Sequence, residues 1–411
     1  MSEGAGVAPA RVGLVLSGGG ARGAYEAGVV CHLLERVLPQ LPPGTELDVA
    51  SGTSVGAIHA AYVMASAGAP PAERARRLAA TWSEMRVADV VRLGVRDLVG
   101  VPLRALGWRR LVRRPPGDGE GDVVGGLVDV GPLEAIVAER IPWSALAANL
   151  RRGRALCVSC TDVSSGLGTV FLDGALADPG PWAFDPNARA LRTTIGPVHV
   201  RASAAIPFLF PAVRVGERFY VDGGLRMNTP LSPVLRHGCN RVLVVAVKHE
   251  RAPDAALPEF PVEAITQPAF LLGKVLDALL LDHLEVELRR LQVVNAVLAR
   301  GQEAFGTGFL PKINVAVRAQ RGVGYRHVEH AVVRPSEDLG GVAAAAYRGA
   351  GRGSLGALPA LLTRLALRGV PDFEADLLSY LLFDRSFTNE LLALGREDAR
   401  RQEDALLALW S

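Results

Sequence analysis

Residues 11–23 read RVGLVLSGGGARG and residues 47–66 read LDVASGTSVGAIHAAYVMAS, and these two stretches decide the fold. In the first, the apolar run 11–16 is stopped by the glycines at 18–20, as a buried strand is stopped by a turn. Ala24 to Leu38 then carries apolar residues at helical spacing and ends before Pro39. In the second stretch, LDVASGTS closes another strand, and the following VGAIHAAYVMASAG has the small-residue pattern of a packed helix. Strand, glycine turn and helix, twice in succession, predict an α/β fold: a mostly parallel central sheet with helices on both faces.

Working outward, further strands are expected at 154–161, 168–172 and 241–247, all inside a core spanning 10–250. The run 328–334, stopped by Pro335, is expected to return to the sheet's edge, as a strand within 327–335. Two regions read as insertions: 82–130, Arg-rich and broken by PPGDGEGD, and 251–326, mostly helical. Residues 336–411 read as a helical C-terminal region, and no internal repeat is present.

Bulk properties exclude several classes. A chain of 411 residues, 49% hydrophobic and 21% charged, buries a sizeable core. A net charge of +3 does not suggest a nucleic-acid binder. Cys157 and Cys160 form a C-x-x-C, but they sit in the apolar run ALCVSCTDV with no second ligand pair, so buried structural thiols are expected. With Cys31 and Cys239 they make four cysteines and no secretory framework, which favours a reducing compartment. The N-terminus lacks the basic and apolar regions of a signal peptide. No run of about 18 apolar residues exists to span a membrane. The expected location is cytoplasmic, at most peripheral to a membrane.

Three motifs carry chemistry. Gly52-Thr53-Ser54-Val55-Gly56 is a G-x-S-x-G between a strand and a helix, where a sharp turn exposes the serine and small neighbours avoid clashes. The following helix aims its positive end at the serine oxygen. Ser17-Gly18-Gly19-Gly20-Ala21-Arg22-Gly23 lets backbone N–H groups converge on an oxyanion. Arg22 adds a cation there, suited to a phosphate or to ordering the loop. Gly18, Gly20 and Gly23 also fit G-x-G-x-x-G, so a dinucleotide site is a rival. That site wants an acidic residue ending the second strand, where this chain has Ser51-Gly52, and no Lys-Ser/Thr follows Gly23 to make a phosphate loop. The third motif, Asp222-Gly223-Gly224, is on its own most simply a turn.

Together, the Gly-Gly-Gly-x-Arg-Gly loop, the G-x-S-x-G and an Asp-Gly-Gly after Ser-Ala-Ala-Ile-Pro-x-x-Phe-Pro resemble the patatin-like phospholipase family over about residues 11–250. The resemblance implies a three-layer α/β/α sandwich, Ser54 as nucleophile, and Asp222 as the second member of a dyad. It further implies Gly18, Gly19 and Gly20 as oxyanion hole with Arg22 beside them, lipid acyl esters as substrates, and no cofactor or catalytic metal. Phospholipase A or lysophospholipase activity is the expected reaction. A carboxylesterase or thioesterase on soluble substrates, and a non-hydrolytic nucleotide-binding or regulatory protein, remain the alternatives. Many members have Gly-Ala where Gly223-Gly224 stands here.

The histidines after Asp222 (His237, His249, His283, His327 and His330) sit in no signalled loop, so the aspartate is expected to take the serine proton directly. His59, one turn beyond the serine, reads as packing. Residues 86–114 hold eight arginines against two aspartates, with Trp108 interleaved, which fits an anionic membrane surface as well as a solvated face or subunit contact. The apolar stripe over 268–300 fits core, an acyl-pocket wall or an oligomer interface.

Overall fold

The VGLVL segment forms β1 (Val12–Leu16), buried along its whole length in the computed structural model. A strand covered on both faces is apolar throughout, which explains why it lacks polar alternation. Leu14 and Leu16 join one hydrophobic cluster and Val15 joins a second on the opposite face. The structure describes residues 10–90, 119, 121–126, 128–175, 180–182, 185–207, 209–250, 283–349 and 376–411.

The first face is covered by α1 (Gly23–His32), α2 (Val55–Ser66), α3 (Pro71–Glu84) and α4 (Pro197–Ser203). The one-turn α5 (Gly224–Met227) leads into the second face, covered by α6 (Leu231–Arg236) and α7 (His283–Phe305). α8 (Phe309–Arg321) packs on α7. α9 (Asp376–Leu381) and α10 (Arg385–Arg401) return to the first face.

Parallel pairing runs through the centre of the sheet. β1 lies between β2 (Val49–Thr53) and β9 (Arg241–Val245), with β10 (Glu329–Val333) beyond β9 and β4 (Ala155–Asp162) beyond β2. The other side is antiparallel: β4 pairs with β5 (Gly168–Gly174) and, further along, with β8 (Arg218–Asp222). β6 (Ala188–Arg192) continues parallel from β5, β7 (Ala212–Val215) follows β8, and the short β3 (Val123–Val124) ends that edge. The result is the α/β architecture expected from the sequence, a central sheet with helices on both faces.

The C-terminal region is part of this body. α10 crosses α1 at two glycines: a Cβ on Gly28 would lie 2.3 Å from the Leu392 carbonyl oxygen, and one on Gly395 would lie 2.1 Å from that of Tyr25. Backbones meet there because neither helix carries a side chain at the crossing. In α7 the described part of the apolar stripe turns Leu284, Leu288, Leu291 and Leu298 into the core. Residues 91–114 of the Arg-rich stretch and 268–282 of that stripe lie outside the described residues. Among the described residues, no helix is long and apolar enough to cross a membrane.

Candidate active site

Ser54 sits between β2 and α2 at φ 55°, the one non-glycine residue with positive φ among the described residues. Such a backbone costs about 1–3 kcal/mol and persists only where its surroundings enforce it. Here the enforcement is close packing. A Cβ on Gly52 would stand 2.1 Å from the Gly56 carbonyl oxygen, and one on Gly56 would stand 2.4 Å from that of Leu16. Both outer glycines of G-x-S-x-G are therefore demanded by sterics. The Ser54 N–H donates to Ser203 Oγ at 2.9 Å, and that hydroxyl donates to the Ser159 carbonyl at 2.6 Å. The Ser54 side chain makes no cap bond to the helix it precedes, so its hydroxyl is not consumed by local structure.

Strand register brings Asp222 to the same place. β4 pairs Thr53 with Ser159 and Asp222 with Cys160, so consecutive residues of one strand hold the serine turn and the carboxylate. Gly223 lets the chain turn away, since a Cβ there would lie 2.3 Å from the Ser159 carbonyl oxygen. Asp222 Oδ1 accepts the Gly224 N–H at 2.7 Å, and Oδ2 is buried with no hydrogen-bond partner. Burial pushes the carboxyl up to about 6, while the Ser54 hydroxyl and the Gly224 amide act in the opposite direction. The hydroxyl thus influences the carboxyl from nearby without completing a bond to Oδ2.

The glycine loop lies against both. A Cβ on Gly18 would meet Asn228 Oδ1 at 2.3 Å and Ser54 Cβ at 3.1 Å. The Gly18 N–H, expected to face an oxyanion, donates instead to the Asn228 carbonyl at 3.1 Å, because residues 222–228 wrap directly under the loop. The N–H groups of Gly19 and Gly20 make no hydrogen bond among the described residues. Gly20 has φ 56° and abuts the Tyr380 carbonyl, which a Cβ would approach to 2.4 Å. Arg22 is 3% exposed; its Nε donates to Ser379 Oγ at 2.8 Å and its guanidinium lies 4.3 Å from the centre of the Tyr380 ring. Of the two uses open to Arg22, a rim cation or an ordering residue, its side chain adopts the geometry of the second.

Ser54 and Gly20 open on a narrow cavity of about 70 Å³. Its walls are mostly apolar, including Ile58, Trp82, Ile136, Ile206, Phe210 and Phe383, with Thr81 and Arg140 also in the lining. His59 lines it as well, with Nδ1 3.0 Å from Glu26 Oε2 and Nε2 accepting from Trp82 Nε1 at 2.9 Å. Both ring nitrogens are engaged. Burial takes His59 down to about 3 and pushes the Glu26 carboxyl up, both against the charged forms.

The later histidines lie elsewhere. His237 Nδ1 is 2.7 Å from the Pro233 carbonyl, His249 Nδ1 is 2.9 Å from that of Pro335, and His330 lies on β10 at the sheet's end. His327 is exposed, and His283 begins α7. All four cysteines are free and buried. Ser203, Asn228 and Tyr380 are site residues that sequence reasoning missed. Ser203 stands in the quoted Ser-Ala-Ala-Ile-Pro stretch, but Tyr380 carries no local signal.

The patatin-like phospholipase family model matches residues 14–235, more than half of the chain. Among solved structures, VipD from Legionella pneumophila aligns with 97% of this chain and 67% of its own, at 14% identity and a TM-score of 0.36. Human GIVD cytosolic phospholipase A2, solved in complex with methyl gamma-linolenyl fluorophosphonate, aligns over 98% of this chain at 12% identity and a TM-score of 0.40. This chain spans 59% of that enzyme, less than two thirds of its length. The heterodimeric complex ExoU–SpcU from the type III secretion system of Pseudomonas aeruginosa matches at 17% identity and a TM-score of 0.28, over 98% of this chain and 74% of that one. A search of curated proteins finds no match.

Proposed function

The chain belongs to the patatin-like phospholipase family, and from that premise we propose that it hydrolyses lipid acyl esters through a Ser54–Asp222 dyad. One observation carries this reading: the strained Ser54 opens on an apolar cavity with the buried Asp222 carboxyl held beside it.

A carboxyl near 6 is ionised at neutral pH yet basic enough to accept a proton. As Ser54 Oγ attacks the acyl carbon, its proton passes to Asp222 Oδ2, the carboxylate oxygen with no other partner. The tetrahedral oxyanion is held by the free N–H groups of Gly19 and Gly20, each such donor lowering the barrier by about 2.7–4 kcal/mol. The positive end of α2 adds to this. Collapse expels the alcohol, which takes the proton from Asp222, and the acyl group remains on Ser54. Water activated by Asp222 then releases the fatty acid.

The acyl chain occupies the apolar cavity, gaining about 0.8 kcal/mol for each methylene buried. Gly18 backs Ser54, and Arg22 orders the loop by tying it to α9. A mostly apolar acyl site supports phospholipase A or lysophospholipase chemistry, in which a fatty acyl chain is held beside the serine. The arginines of 86–114 supply charge for a peripheral anionic membrane contact, about 1 kcal/mol each near the surface. Liposome flotation with and without anionic lipid tests that contact.

The reaction is tested by incubating wild type and Ser54→Ala with phosphatidylcholine, lysophosphatidylcholine and p-nitrophenyl acetate. Fatty-acid release from either lipid by the wild type alone is expected. Cleavage of the soluble acetate with no release from lipid overturns the substrate class.

A further inference from the structure

A second cavity, of about 750 Å³, lies on the other face of the sheet from the Ser54 cavity, among residues of the second hydrophobic cluster. Five arginines line it: Arg226 of α5, Arg236 of α6, Arg290 of α7, and Arg321 and Arg326 at and beyond the end of α8. Two carboxylates, Asp185 and Glu287, oppose them, leaving an excess of three positive charges. Asp185 is taken by Arg236 at 2.9 Å. Among the described residues, Arg290, Arg321 and Arg326 form no ion pair within 4.0 Å.

Crowding of like charge continues at the rim. A Cβ on Gly238 would sit 3.0 Å from Arg11 Nη1 and 3.1 Å from Arg326 Nη1, so the two guanidinium groups flank one glycine. Burial first, and the neighbouring cations after it, hold Arg321 and Arg326 below the ordinary guanidinium range. Glu287 has Oε2 without a hydrogen-bond partner, and loss of solvent pushes its carboxyl up to about 7. Near neutrality it can therefore stand as a hydrogen-bond donor. Converging guanidinium groups repel one another unless an anion lies between them, and their planar forks match phosphate oxygens.

We propose that this arginine-lined cavity binds a ligand carrying two or more phosphate charges. The shared chemistry is the phosphate group, whether free or as the headgroup of a phosphomonoester lipid. The site also touches the segment that organises the Ser54 turn. Residues 225–227 line the cavity, the Met227 carbonyl accepts from Thr53 Oγ1 at 2.6 Å, and the Asn228 carbonyl accepts from Gly18 N at 3.1 Å. An anion held by Arg226 therefore bears on the chain between Asp222 and the glycine loop.

The test is isothermal titration calorimetry on the full chain with two probes, inorganic pyrophosphate and monomeric dihexanoyl phosphatidic acid. Its readout is binding, so it stands apart from whether the chain hydrolyses esters. Wild type is expected to bind at least one probe. Arg321→Gln with Arg326→Gln is expected to weaken binding about tenfold or more, through lost charge-assisted hydrogen bonds. The exposed Arg290→Gln serves as a variant with little call on folding and is expected to weaken binding in the same direction. Arg396→Gln, whose partner is Glu35 on the other side of the molecule, is expected to leave it unchanged. Tighter binding of the phosphatidic acid identifies a lipid headgroup, and tighter binding of pyrophosphate a free phosphate. Absence of binding by either probe, or binding indifferent to all three cavity arginines, overturns the proposal.

Discussion

Replacing Asp222 by Asn should abolish hydrolysis and at the same time make the folded protein more stable at neutral pH. The carboxyl stands at about 6 in the fold against an ordinary value of 3.8, and burial is the principal cause. A raised acid is one whose ionised form is disfavoured by folding, so the sign is opposite to that of a salt-bridged aspartate. Below 3.8 the group is protonated in both states and costs nothing. The penalty grows between 3.8 and 6 and is constant above. At about 1.36 kcal/mol per pH unit, it reaches about 3 kcal/mol. Asparagine has the same shape, keeps an oxygen for the Gly224 N–H, and carries no charge. Urea unfolding of wild type and Asp222→Asn should therefore show the variant ahead by about 3 kcal/mol at pH 8, and by about half of that at pH 5. All other titrating groups are common to both proteins and cancel. A gap that does not change with pH, or a wild type more stable at pH 8, refutes the reasoning that a buried charge is held here for chemistry.

Further outcomes follow from the same geometry. Ester hydrolysis by the wild type should fall as pH drops through about 6, where Asp222 gains its proton; a rate flat from pH 5 to pH 8 contradicts Asp222 as the base. Gly20→Ala places a methyl 2.4 Å from the Tyr380 carbonyl at a positive φ, and should lower kcat about a hundredfold to a thousandfold by displacing the loop's N–H groups. His59→Leu strands both Glu26 and the Trp82 N–H, and thermal or urea unfolding should show a loss of about 2–4 kcal/mol. Ile136→Trp fills the apolar cavity and should shift the kcat/KM preference toward shorter acyl chains, with short-ester cleavage retained.

The glycine pattern was legible because its causes are local. Gly52 and Gly56 face backbone within a few residues or on the adjoining strand, and no other residue fits there. The parallel centre of the sheet was legible for a similar reason, since strands covered on both faces, such as β1 and β9, read as apolar runs. The partners that side chains find across the sequence left no such trace. Ser203 meets the Ser54 amide across 149 residues, and Arg22 meets Ser379 across 357. The tail's helical periodicity says that it is helical but not what it covers. The crossing at Gly28 and Gly395 seats α10 on α1, and the contacts of Gly20 with Tyr380 and of Arg22 with Ser379 seat α9 on the glycine loop. The Gly18 amide shows the same limit: three glycines in a row permit converging N–H groups, but the Asn228 carbonyl, 210 residues away, claims the first of them.

The central claim is that Ser54 is a nucleophile activated by Asp222, and covalent labelling tests it most directly. The protein is incubated with an alkyl fluorophosphonate at pH 8, digested, and the modified residue identified by mass spectrometry. The account predicts one phosphonyl adduct on Ser54, absent from Ser54→Ala and much slowed in Asp222→Asn. A folded wild type that takes no label, or label on a residue other than Ser54, contradicts it.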